Sequence, residues 1–275
     1  RARQKPGETI QGRYRILRPL TDEPGTSSYL CQDDDLAREV VLECFEIPGG
    51  ERHEAFERFE REVSEFQRIS TRGITAILDH FYLEHADGGA SCCLVAPHID
   101  GTSLGDVMLR GQRRLSDEEL RALAWWLIEL LERLHQLEPP EVHGDIKPSN
   151  IYLGGGGEVT LRGFWGICHR WRSRVPRARP RDDLHSLGVT LFHLITSTPP
   201  EDASDRNARE STLRRSECPE DLVEFIVCLL EPEERGRPTT AREARALLFA
   251  QALKVQLEGE VTEGLEASSR LLELE

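Results

Sequence analysis

Long apolar runs are scarce in this chain: the longest, Ala122–Ile128, falls far short of the roughly 20 residues that a bilayer crossing needs. No positively charged segment leads into an apolar stretch, so no secretory signal is read and no membrane insertion is expected. The sequence starts at Arg1 rather than Met, so the expectation is a chain cut from something longer, with no localisation signal to be read from it. Lysine is almost missing, with Lys5, Lys147 and Lys254 against 32 arginines, a bias that fits GC-rich bacterial coding. CxxC spacing is absent. Seven cysteines, an odd number, argue against both a disulfide framework and a zinc site; a reducing cytosol is expected, and no metal. Net positive charge is absent as well. At −14 the chain is poorly suited to nucleic acid or an anionic membrane as its general partner.

What is present is an ordinary globular composition, 38% apolar and 31% charged, too rich in core-formers for disorder. Its 275 residues suit one two-lobed domain or two small ones. Strands are read at 14–20, 28–32, 39–45, 74–83 and 92–97. Residues 51–70 carry Phe56, Phe59, Val63, Phe66 and Ile69 at three- and four-residue steps, the stripe of a helix that leans on the sheet. From 116 the character turns helical. Ser116 and the acidic residues after it cap a buried helix to 136 with Leu120, Leu123, Leu127, Leu131 and Leu134 on one face. Further helices are read at 183–197, 219–230 and 239–257. Residues 154–157, all glycine, read as a hairpin turn.

The most specific stretch is VHGDIKPSNIYL at 142–153. Together with GRYRILRPL, REVVLE, RFEREV, LVAPHIDGTSL, DLHSLGVTLFHLITSTPP and RGRPTTAREA, in that order, it resembles the bacterial-type Ser/Thr protein kinase domain from Tyr14 to Leu248. The resemblance implies an α+β bilobal fold: an antiparallel β-sheet N-lobe with one main helix, and a mainly helical C-lobe. The expected division is a lead at 1–12, an N-lobe at 13–97, a C-lobe at 98–250 and a helical extension at 251–275.

The resemblance also assigns chemical positions, and several depart from the family pattern. The three positions of its glycine-rich loop fall on Thr21, Glu23 and Thr26, where Pro24 removes an amide. The third-strand lysine, which meets the α- and β-phosphates, aligns with Glu43. At about 4 Å and an effective dielectric near 20, that reversal turns an attraction of about 4 kcal/mol into a repulsion of similar scale. No lysine lies between Lys5 and Lys147, which closes off a lysine supplied from a neighbouring strand and leaves only an arginine such as Arg15 or Arg18 to substitute. Glu62 keeps the place of the helix glutamate. Two carboxylates in contact raise one another's pKa, so the chain must separate them, bridge them with arginine or share a proton, and the helix is expected to be swung or rotated from the family's active pose. The metal-binding aspartate aligns with Gly163, with Trp165 expected to fill space beside it. His143, Asp145, Lys147 and Asn150 persist in the catalytic loop, with Gly144 in place of the usual arginine. Val41, Ala96, Pro97 and Ile99 form a candidate adenine pocket.

Only residues 164–182 separate Gly163 from Asp183, without the family's APE motif. Asp183 matches the buried aspartate that anchors the catalytic loop, and Arg237 matches the arginine that normally pairs with the APE glutamate. Arg170, Arg172, Arg174, Arg177, Arg179 and Arg181 form a basic strip suited to an acidic or phosphorylated protein partner. The resulting expectation is a pseudokinase: no enzyme, no cofactor, no binding of ATP with magnesium, and a regulatory or scaffolding role. Its alternatives are an atypical nucleotide-binding enzyme, by weak phosphotransfer or nucleotidyl transfer, and a metal-independent nucleotide sensor.

Overall fold

Alternating side chains along four successive strands build the first unit in the computed structural model, which describes residues 4–47, 52–67, 72–85, 88–111, 114–138, 140–154, 158–162, 179–202, 205–231 and 236–272. The chain divides into two units, Arg1–Gly101 with Gly154–Arg177, and Thr102–Leu153 with Ala178–Glu275. In the first, β1 (Thr9–Ile10), β2 (Tyr14–Glu23), β3 (Thr26–Asp33), β4 (Arg38–Glu46), β5 (Asp79–Glu84) and β6 (Ala90–Pro97) form an antiparallel sheet ordered β1-β2-β3-β4-β6-β5. Tyr14, Ile16, Tyr29, Cys31, Val40, Leu42, Cys44, Cys93 and Val95 pack on one face. On the other, Phe45, Cys92, Leu94 and Ala96 meet Ala55, Phe59, Val63 and Phe66 of helix α1 (Arg52–Gln67). Period two in the strands and period 3.6 in the helix thus place one apolar stripe against one apolar face.

Two turns show how the sequence closes this sheet. Pairing of β2 with β3 runs out to Glu23 opposite Thr26, leaving Pro24 and Gly25 as the turn, and Gly25 supplies φ of +79°. At the β3–β4 turn, buried Asp33 accepts from the amides of Asp35 (3.1 Å) and Leu36 (3.2 Å) and takes both arms of Arg13, at 2.8 Å each. The reading of one strand over 74–83 is corrected. Ile74 makes an isolated parallel bridge to Leu161, and the strand begins at Asp79. The backbone of 75–78 is committed elsewhere, with Thr75 N donating to Leu161 O and Leu78 N to Val95 O. The short strand β9 (Val159–Leu161) belongs to this unit.

The second unit is helical. A two-residue strand, β7 (Thr102–Ser103), pairs with β8 (Ile151–Leu153) and leads into α2 (Leu104–Leu109). Helix α3 (Asp117–His135) starts on a reciprocal cap in which Ser116 Oγ accepts from Glu119 N and Ser116 N donates to the Glu119 carboxylate. Its leucines at 120, 123, 127, 131 and 134 are buried. Helices α4 (Pro180–Thr196), α5 (Arg206–Arg215), α6 (Glu220–Leu229) and α7 (Ala241–Leu272) follow. Gly188 of α4 allows close contact with α6, since a Cβ there would meet Leu229 Cβ at 2.7 Å. Helices α2 and α5 are absent from the sequence-based reading. The second is almost wholly polar, RNARESTLRR, and is held by one buried leucine, Leu213, and by Arg206 bonded to Glu224 and Glu231. No helix among the described residues is long and apolar enough to cross a membrane.

The Arg13 hydrogen bonds hold the Asp33 carboxyl below the usual carboxylate range. A folded pKa below the unfolded value of about 3.9 contributes stability that is present above that pH and lost as pH falls through the folded value. Asp33→Asn is therefore expected to be less stable than wild type at pH 7 by urea denaturation, with the difference narrowing below about pH 4.

Candidate functional site

In the helical unit, residues 142–150 are shaped by a single carboxylate. Asp183 of α4, fully buried, accepts from His143 N and Gly144 N at 2.8 Å each and lies 3.0 Å from His135 Nε2. Both amides can face it because Gly144 turns the chain with φ of +76°, a conformation that a side chain at this position would strain. Thr190 of the same helix donates to Ile146 O at 3.0 Å. Burial lowers the His143 pKa, so the ring is neutral, and its Nδ1 accepts from Asp145 N at 3.3 Å. His143 thus shapes the loop.

The next residues converge on Asp145. Asn150 Nδ2 donates to both the Asp145 carbonyl (2.8 Å) and its Oδ2 (2.7 Å), and Lys147 Nζ is 3.0 Å from the same carboxylate oxygen. The turn Pro148–Asn150 that presents Asn150 fits tightly against α2, where a Cβ on Gly105 would come within 2.9 Å of Ser149 Cα. Asp145 is therefore a carboxylate of fixed orientation beside a half-exposed ammonium, an arrangement able to take a proton from a hydroxyl held next to it.

In the sheet unit, Glu43 sits mid-strand on β4, opposite Ser28 of β3 and Leu94 of β6. It is buried, and the guanidinium of Arg162, just beyond β9, donates to its carboxylate. Arg162 is placed by Leu161, whose N donates to Gly73 O at 2.8 Å and whose O accepts from Thr75 N at 3.3 Å. Neither arginine weighed as a substitute pairs with Glu43. Arg15 pairs with Asp34 and Arg18 is exposed, whereas Arg162 neutralises Glu43. The signal that would have found it is physical: a glutamate at the centre of a sheet requires a counter-ion, and Arg162 adjoins the next position that the resemblance marks. Glu62 lies half-buried on α1.

The other predicted positions fall as follows. Ser28 Oγ is 2.7 Å from Thr21 Oγ1; Thr21 and Thr26 are ladder residues of the β2–β3 hairpin, and so is Glu23 by its backbone. Val41 lies between Leu30 and Ala96, all buried, while Pro97 and Ile99 are half-buried. The candidate adenine pocket thus has an apolar floor on the same side of β4 as Glu43, two residues along the strand. Arg237 is half-buried, and its buried Nε has no hydrogen-bond partner among the described residues. Arg179 is exposed, its N donating to Asp182 at the start of α4, and Arg181 is half-buried. Gly163, Trp165, Arg170, Arg172, Arg174 and Arg177 lie outside the described residues. Among those described, no group of three or more His, Cys, Asp or Glu side chains is arranged to hold a metal ion.

Known proteins share both the sequence pattern and the fold. No protein-family model matches the chain. Serine/threonine-protein kinase PksC of Streptomyces coelicolor is 27% identical over 219 residues, covering 70% of this chain and 38% of that protein. PrkC of Bacillus subtilis, also a serine/threonine-protein kinase, is 26% identical over 216 residues, covering 71% of this chain and 32% of its own. The PknI kinase domain of Mycobacterium tuberculosis, as a double mutant, superposes with a TM-score of 0.70 at 21% identity, covering 91% of this chain and all of that one. The chain has the bilobal protein-kinase fold and is similar in sequence to bacterial Ser/Thr protein kinases. It spans about a third of the length of the curated relatives it matches. The expectation that it is no enzyme is overturned by these comparisons, since PksC, PrkC and the Myxococcus xanthus relative pkn2 are all named serine/threonine-protein kinases. That expectation gave the departures around Glu43 more weight than the ordered set Asp145, Lys147 and Asn150, which the structure brings together.

For the kinase-like domain, removing one member of a buried ion pair leaves the other charge uncompensated, at a cost of roughly 3–5 kcal/mol. Arg162→Leu and Glu43→Leu are each expected to destabilise the fold by this order, and the double variant by clearly less than either. A double-mutant cycle from denaturant unfolding checks the coupling.

Proposed function

We propose that this kinase-like domain is a signalling module of atypical chemistry: a slow phosphotransferase that uses Asp145 to accept the proton of a hydroxyl substrate, in a protein that also holds an acidic or phosphorylated partner. The observation that carries the reading is the fixed Asp145 carboxylate, with Asn150 Nδ2 at 2.7 Å and Lys147 Nζ at 3.0 Å, on a loop tied to Asp183. Phosphoryl transfer rests mainly on positioning and charge neutralisation, and this loop supplies a positioned base and a nearby cation. The relatives' names support a serine or threonine hydroxyl as the acceptor. Slowness follows from the sheet unit, where the positive charge of Arg162 is already spent on Glu43. Loss of one preorganised donor typically lowers turnover by about 100- to 1000-fold.

The partner-holding part rests on arginine chemistry. The buried Nε of Arg237 lacks a partner among the described residues, and the strip that ends at Arg179 and Arg181 carries guanidinium forks suited to carboxylate or phosphate.

Transfer of radiolabelled phosphate from ATP is expected at least about 100-fold below the 1–100 s⁻¹ usual for kinases. Asp145→Asn is expected to lower the label incorporated by a further factor of about 100 or more; equal incorporation by variant and wild type defeats the phosphotransfer reading. Thermal unfolding with ATP, with and without magnesium, provides the binding control, since ligand at about 100 times its Kd adds about 2.7 kcal/mol. Separately, replacing the six strip arginines by serine is expected to weaken binding of phosphoserine peptides in fluorescence anisotropy, and unchanged binding removes the strip from the proposal.

A further inference from the structure

The sheet unit holds a feature that the proposed function does not use. Cys44 of β4 and Cys93 of β6 are direct cross-strand partners, both buried, with their Sγ atoms 3.0 Å apart. A disulfide needs about 2.05 Å between sulfurs and about 4.4–6.8 Å between Cα atoms. Directly opposed residues of an antiparallel pair are about 4.5–5.5 Å apart at Cα, so the backbone is already in range and only the side chains must close by about 1 Å.

A thiol sealed in apolar surroundings is ordinarily inert. Cys44 is not sealed. It lines a cavity of about 190 Å³ at the end of the sheet, together with Ser27, Glu46, His85 and Ser91. That volume admits several water-sized molecules. The wall carries hydrogen-bonding groups, with His85 Nε2 2.8 Å from Ser91 Oγ. Cys93 does not line the cavity; burial and the adjacent thiol push its pKa well above the ordinary thiol value.

We propose that Cys44 and Cys93 form an oxidative modification site for a small hydroperoxide. The Cys44 sulfur attacks one peroxide oxygen, the O–O bond breaks, and the products are a Cys44 sulfenic acid and one water when the oxidant is hydrogen peroxide. The Cys93 sulfur then attacks Cys44 Sγ, an S–S bond forms as the S–O bond breaks, and a second water leaves. Two thiols have lost two electrons and the peroxide has taken them up. The cross-link joins β4 to β6 one residue from Glu43 and Leu94, so it restrains the strand that carries the Glu43–Arg162 pair. Cys31 is the internal control, because it faces Ile16 and Val40 and lies four residues along β3 from Ser27, the residue opposite Cys44.

The test treats the whole folded chain with hydrogen peroxide and maps disulfides by non-reducing peptide mass spectrometry. The expected result is a peptide joining Cys44 to Cys93, reversed by dithiothreitol and accompanied by a higher Tm. Cys93→Ser is expected to stop at a Cys44 sulfenic acid that dimedone traps, Cys44→Ser to leave Cys93 unmodified, and Cys31→Ser to behave as wild type. Absence of the Cys44–Cys93 peptide from the folded wild-type chain, or its appearance only after unfolding in urea, overturns the proposal without recourse to any variant.

Discussion

A carboxylate with no exposure to water holds the loop of residues 142–150 in place. Burying a charge is costly unless hydrogen bonds replace its hydration, and Asp183 recovers them from the backbone amides of His143 and Gly144 and from the ring of His135. The dependence runs both ways. Those amides sit in a stretch without regular secondary structure, and leaving a buried amide unpaired costs about 1–3 kcal/mol. The left-handed turn at Gly144, the aim of Asp145 and the turn that brings Asn150 back onto it all follow from this anchor. Helix α3, the loop and helix α4 meet on the same carboxylate, so the geometry of the candidate base is set by the helical core and not by the loop's own sequence preferences.

The sheet unit meets a comparable demand by different means. Glu43 also takes an anionic group into a buried place, but its compensation comes from one long side chain arriving from outside the sheet. An arginine paired with a carboxylate leaves little net charge. The same apolar floor of Leu30, Val41 and Ala96 therefore lies beside a nearly neutral polar spot, where the resemblance had placed a free cation. This is the physical ground on which the proposed phosphotransfer is expected to be slow.

Periodic signals made much of the fold legible in the sequence. The Phe59, Val63 and Phe66 stripe, the Ser116 cap and the leucine face of α3 each express one local rule, and the structure follows them. Where local rules do not apply, the sequence was silent. Helix α5 has one buried apolar residue and is held by ion pairs to α6, Arg206 to Glu224 and Arg214 to Glu220, so its apolar pattern carries no signal. The stretch from Ile74 to Leu78 reads as strand because its residues favour one, yet its hydrogen bonds go to Leu161 and Val95 in turn. At the candidate site, the loop residues were legible from their fixed spacing. Arg162 was not, because a partnership across 119 residues leaves no local trace.

Seen as a constraint on how the sequence can change, the Glu43–Arg162 pair couples two positions that are distant along the chain. Changing the sign of either member alone sets like charges against each other inside the sheet unit, and removing either strands the other. Substitution at one position is tolerated only alongside a matching change at the second, so across homologous chains the two are expected to vary together: an acid facing a base, a base facing an acid, or two neutral residues. The pair thus makes any stepwise change of Glu43 to lysine pass through an intermediate less stable than either end.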